Sequence, residues 1–116
     1  MTASPFEGVL DSLTRQRGVS ASLVVSERDG IIVDARVQIG HRGDRVAALA
    51  ASLYRKARLS TEAAGYGEVG FVQLEAEQGW LCAIGRDDLV LAVLAGPKAN
   101  IGMIRVAMLQ AREALA

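Results

Sequence analysis

The chain holds one cysteine, one histidine, two prolines, few aromatics and no excess of charge, and each shortage excludes something. Cys82 alone cannot form an internal disulfide, and with His41 as the lone histidine no thiolate–imidazole zinc set can be assembled. Lys+Arg and Asp+Glu both total 13, whereas a protein that neutralises many phosphates needs a positive surplus, so nucleic acid is not an expected partner. The longest apolar run, Leu89 to Ala95, is far short of the roughly 20 residues of a membrane span. No basic stretch followed by an apolar one opens the chain, which gives a cytoplasmic expectation.

What is present is globular. Of the 116 residues, 51% are hydrophobic and 22% charged, enough to bury one core, so a single domain over 1–116 is expected. Ser4, Pro5 and Glu7 predict a capped helix start, and Phe6, Val9, Leu10 and Leu13 then share one face. Two β-branched runs, 20–26 and 31–35, flank Asp29-Gly30 and predict a hairpin. A helix is predicted over 44–59 and strands over 67–75, 80–84 and 89–95. Gly96-Pro97 closes the last strand, and Asn100 caps a final helix bearing Ile101, Ile104, Met108, Ala111 and Leu115. The order is α-β-β-α-β-β-β-α. The strand 89–95 is apolar at every position, so both of its faces must be covered. An α/β (α+β) fold follows: a five-stranded, mainly antiparallel sheet with the middle helix on one face and the terminal helices on the other.

The middle helix carries two apolar stripes. Val46, Leu49, Ala50, Leu53 and Ala57 are expected to pack on the sheet. Ala47, Ala51 and Tyr54 lie about 100° around the axis and are expected to face outward, where a second copy would bury them in a homodimer. Arg45, Ser52, Arg55 and Lys56 are the polar positions beside these stripes and the expected partner-binding surface.

Patterns that suggest chemistry fail in context. Gly65-Tyr66-Gly67-Glu68-Val69-Gly70 spells G-x-G-x-x-G, but a helix precedes it and a strand follows, the reverse of a dinucleotide fold. Gly96 to Gly102 lacks the P-loop spacing. His41 has no neighbouring ligand or nucleophile, and Asp29 and Asp34 do not make an acid–base pair. No catalytic site, metal or cofactor is expected.

The chain resembles the Roadblock (dynein light chain roadblock) family. The resemblance is carried by 18–26 with Asp29-Gly30, by 47–53, by 89–94 and by 99–105, and the element order agrees along nearly the whole chain. It implies a profilin-like fold and a homodimer in which middle helices and third strands pair across a twofold axis. It also implies work with a small Ras-like GTPase, as in the bacterial MglB-like members that stimulate one. Two other readings stand beside it: a ligand-sensing profilin-like or PAS-like module, and a structural subunit of a hetero-oligomeric Roadblock assembly.

Overall fold

A computed structural model describes residues 4–115. The elements are α1 (Glu7–Thr14), β1 (Val19–Ser26), β2 (Ile32–Val37), α2 (Gly43–Ala63), β3 (Val72–Ala76), β4 (Gly79–Arg86), β5 (Leu89–Ala95) and α3 (Ile101–Ala111), with a 3-10 turn over Arg112–Leu115. All strand pairs are antiparallel, in the order β2-β1-β5-β4-β3. The fold is therefore three helices on a five-stranded antiparallel sheet, in the predicted element order.

The central strand explains the layers. In β5, Leu91 and Val93 enter a core with Leu10, Leu13, Ile104 and Met108 from α1 and α3. Val90 and Ala92 face the other way, toward α2. Successive side chains of a strand alternate faces, so an unbroken apolar run is what two covering layers demand. At about 25 cal/mol per Å² of apolar area buried, this double-sided core supplies the main drive for folding.

Local signals act nearly as read. Asn100 caps α3, accepting the Met103 N–H at 3.1 Å. The β1–β2 turn spans Glu27 to Gly30. Gly30, at φ +72°, takes the left-handed position, and its N–H returns to the Ser26 carbonyl at 2.9 Å. The start of α1 differs from expectation. The Ser4 hydroxyl accepts the Phe6 N–H at 3.1 Å, but regular helix begins only at Glu7. The Glu7 carboxylate turns toward Arg36, 3.9 Å away, and leaves the capping box unformed. One buried hydroxyl joins α1 to the sheet: Ser22 bonds the Leu10 carbonyl at 3.0 Å and lies 2.7 Å from the Thr14 hydroxyl.

Two boundaries move. The middle helix runs one turn further than predicted, to Ala63, and the Arg58–Glu62 ion pair at 3.6 Å supports that turn. The third strand starts at Val72 rather than at Gly67, because Gly65 and Gly67 adopt left-handed φ values of 78° and 84° that no strand accommodates.

Candidate interaction surface

The two stripes of α2 do not divide between sheet and outside as expected: Val46, Ala50 and Leu53 pack toward the sheet as read, and Ala47, Ala51 and Tyr54 join them there. Ala47, Ala50, Ala51 and Tyr54 are buried against the chain's own sheet, whereas Leu49 is 51% exposed. The reason lies across the interface. Beneath α2 the sheet presents Ala21, Ala83 and Ala92 among Leu23, Val25, Leu81 and Val90, and the alanines of helix and sheet let the two approach closely. Val46 and Leu53 pack at the margin of this contact, and Leu49 falls outside it. Tyr54 lies over Gly85, where any Cβ would collide with the phenol ring. Ala47, Ala51 and Tyr54, expected at a dimer interface, thus have almost no surface left to offer a second copy.

What faces outward is a different ridge. Arg45, Leu49, Ser52 and Lys56 recur at i, i+4, i+7 and i+11, which the helical repeat places on one line. Arg45, Leu49 and Lys56 are exposed and Ser52 is half-buried. Neither the Arg45 nor the Lys56 side chain forms a hydrogen bond or ion pair with another described residue. The ridge is therefore mixed apolar and basic, with both cations free among the described residues.

Arg55 was expected on the same surface and is elsewhere. Its guanidinium donates to the backbone carbonyls of Glu27 at 2.9 Å and Arg28 at 3.2 Å, clamping the β1–β2 turn to α2. Beside it, Arg58 grips the buried Glu27 carboxylate. Sequence reasoning missed this cluster because its partners lie 31 positions apart and Glu27 reads as an ordinary turn residue.

The cluster borders a cleft of about 260 Å³ lined by Glu27, Tyr54, Arg58, Glu62, Arg86 and Arg112. Its charges answer one another: Arg58 with Glu27, and Arg86 with Glu113 at 2.8 Å, while Arg112 donates to the Gly85 carbonyl at 3.1 Å. It contains no nucleophile with an adjacent base. Cys82 lies in β4, fully buried, and burial pushes its thiol up to about 11, the opposite of an activated thiolate. Among the described residues no group of His, Cys, Asp and Glu is placed to hold a metal ion, and no helix is long and apolar enough to cross a membrane.

Toward the β3 side of the sheet the ridge runs into a groove of about 300 Å³ between Leu49, Leu74, Trp80, Leu94 and the His41 loop. Strand β3 is the last of the sheet on that side, and Leu74 is 39% exposed there. An apolar helix flank, an apolar groove and an unpaired strand edge thus form one continuous surface.

Over residues 5–95 the sequence matches the profile of the Roadblock/LC7 domain. The chain belongs to the Roadblock/LC7 family. It is 28% identical over 105 residues to MJ1340, an uncharacterised protein of Methanocaldococcus jannaschii, covering 90% of this chain and 91% of that one. A Roadblock/LC7 domain of Streptomyces avermitilis superposes with a TM-score of 0.83 at 24% identity, over 96% of this chain and 94% of that domain. The gliding protein MglB of Thermus thermophilus gives 0.82 at 18% identity, over 100% and 91%. At such identities the structural likeness establishes the fold, and the expected Roadblock architecture is confirmed.

Proposed function

We propose that the whole chain acts as one cytoplasmic, non-catalytic Roadblock domain that dimerises with a second copy and serves as a platform for a small Ras-like GTPase, regulating it. The observation that carries this reading is the continuous surface from the outer ridge of α2 to the free edge of β3. Half-exposed leucines beside an unpaired strand edge are what a twofold helix-and-strand pairing would cover. The interface residues are revised accordingly: Leu49, Leu53 and Leu74 replace Ala47, Ala51 and Tyr54. Two copies of α2 side by side would present Arg45, Ser52 and Lys56 as a basic ridge, suited to the acidic or polar surface of a partner. Family membership and the likeness to MglB support the same partner class.

The test is molar mass by light scattering at low micromolar concentration, followed by binding to nucleotide-loaded Ras-like GTPases. The wild-type protein is expected at twice 12.3 kDa. Leu49→Glu is expected to halve the mass without loss of secondary structure. Arg45→Glu with Lys56→Glu should leave the dimer intact and abolish GTPase binding and any change in GTP hydrolysis. A monomeric wild type would sink the homodimer and favour the heteromeric assembly. A dimer indifferent to every GTPase would sink the platform.

A further inference from the structure

The two edges of the sheet are finished differently. At β2 the pairing with β1 fixes which backbone groups face outward. The Gln38 N–H donates to the Ser20 carbonyl, and the register pairs Arg36 with Ser22 and Asp34 with Val24. Hydrogen-bonded positions alternate along an antiparallel pair, so 34, 36 and 38 bond to β1. Residues 35 and 37 turn their N–H and C=O groups away from the sheet.

Both outward groups of Ala35 are already taken. The carboxylate of Asp34 accepts the Ala35 N–H at 2.8 Å. The Arg36 guanidinium donates to the Ala35 carbonyl at 2.9 Å. Arg36 also donates to Asp34 at 3.1 Å, closing a ring of side chains around the backbone of one residue, and is held in place by Asp11 of α1 at 2.9 Å. Next to the ring, the register shifts between Val24 and Val25, leaving Val33 unpaired in a bulge. At β3, among the described residues, no side chain bonds to a backbone group of Val72–Ala76.

The β2 edge has reason to be closed. Ile31, Ile32, Val33, Val37 and Ile39 are all exposed, Ile39 completely, and a β-branched apolar edge is a template for strand addition. The segment Val33-Asp34-Ala35-Arg36-Val37 is also self-complementary. An antiparallel second copy centred on Ala35 would set Val33 against Val37 and Asp34 against Arg36.

We propose that Asp34 and Arg36 form an edge clip that occupies the outward peptide groups of Ala35 and so bars a second copy of this chain from adding at β2. A sheet with one open edge closes as a finite pair, whereas two open edges permit end-to-end growth. The clip leaves self-association to the other side of the sheet.

The experiment is light-scattering mass against concentration for Asp34→Ala, Arg36→Ala and Asp11→Ala, with circular dichroism to verify folding. Asp34→Ala is expected to raise the mass at least twofold over wild type, increasing with concentration, whatever the wild-type state is. Arg36→Ala should do the same and serves if Asp34→Ala fails to fold. Asp11→Ala, which loosens the anchor without uncovering Ala35, should keep the wild-type mass. Adding Ala35→Pro to Asp34→Ala removes the outward N–H and should restore the wild-type mass, since proline is tolerated on an edge strand. Folded Asp34→Ala and Arg36→Ala at wild-type mass would overturn the proposal. An equal rise in Asp11→Ala, or failure of Ala35→Pro to reverse the growth, would overturn it as well.

Discussion

Arg58 donates through Nε and Nη2 to the same carboxylate oxygen of Glu27, at 3.0 and 2.5 Å, and so ties the last turns of α2 to the β1–β2 turn. Glu27 is 8% exposed, and Glu27 raises the Arg58 pKa chiefly through this hydrogen bond. Removing the cation strands a buried carboxylate. Arg58→Ala is expected to cost about 2 kcal/mol, the scale of a hydrogen bond to a charged group, in urea unfolding. Adding Glu27→Gln should recover part of that loss, because the stranded charge is then gone. Strict additivity of the two substitutions would show that the contact contributes nothing.

Gly85 and Tyr54 make a second pair whose sizes depend on each other. A methyl at Gly85 meets the phenol ring of Tyr54, which α2 holds against the sheet. Gly85→Ala should destabilise by about 2 kcal/mol through overpacking. On a Tyr54→Leu background the same change should cost less than half as much. An equal cost on both backgrounds would place the strain elsewhere, in the backbone of β4.

These residues show where sequence reasoning reaches and where it stops. The strand Leu89–Ala95 was legible to the residue, because an apolar run bounded by Asp88 and Gly96 has one economical meaning. The Asn100 cap and the Asp29-Gly30 turn were legible because each is settled within four residues. The inward face of α2 was legible only in part: Val46, Ala50 and Leu53 were placed, but Ala47, Ala51, Tyr54 and Leu49 were not. Periodicity fixes the angle between stripes, but how far each turns inward depends on the sheet residues across the interface, Ala21, Ala83 and Ala92 among them. Glu27–Arg58 and the ring around Ala35 were invisible for related reasons. One joins distant positions, and the other requires knowing which peptide groups of β2 face away from β1.

The burial of Tyr54 and the exposure of Leu49 exchange the outcomes that the sequence reading gives two variants. Tyr54→Arg drives a cation into a core position that is 6% exposed, an expected loss of cooperative folding rather than a simple change of oligomeric state. Leu49→Arg lies on the outer ridge and should keep a cooperative melt, with any fall limited to what loss of the dimer removes. A folded Tyr54→Arg protein with an unchanged melting temperature would contradict the burial of the ring.

Cys82 should be silent in the native state. It is fully buried in β4, with a thiol that burial pushes up to about 11, so the thiolate is scarce and no reagent has access. Iodoacetamide at pH 8 is expected to label it only as fast as the chain opens, with complete labelling in denaturing urea. Rapid labelling of folded protein would show that the β4–β5 core breathes.

The same groups define both limbs of the pH–stability profile. Burial alone would raise the pKa of Asp34, but the Ser4 hydroxyl, the Ala35 N–H and Arg36 together hold it below its ordinary 3.8. An unfolded chain therefore takes up this proton before the folded one does, as pH falls. The contribution of Asp34 is complete above its ordinary value and is lost on acidification below it. At the alkaline end, burial raises Cys82 from 9.0 to about 11, and burial followed by the Glu27 charge raises Tyr54 above its ordinary 10.0. Here the unfolded chain loses protons first, so stability present at neutral pH drains away as pH rises past these ordinary values. Urea midpoints are expected to be flat from about pH 5 to 8, falling below about pH 4 and above about pH 9. Asp34→Asn should reduce the acid limb, to which Asp29, Asp44 and Glu113, also held below their ordinary values by hydrogen bonds, contribute the rest, and leave the alkaline one. Cys82→Ala with Tyr54→Phe should do the reverse. An acid limb unchanged in Asp34→Asn would mean that the clip carboxylate titrates alike in folded and unfolded chains, and that its contacts to Ala35 and Arg36 do not favour its charged form.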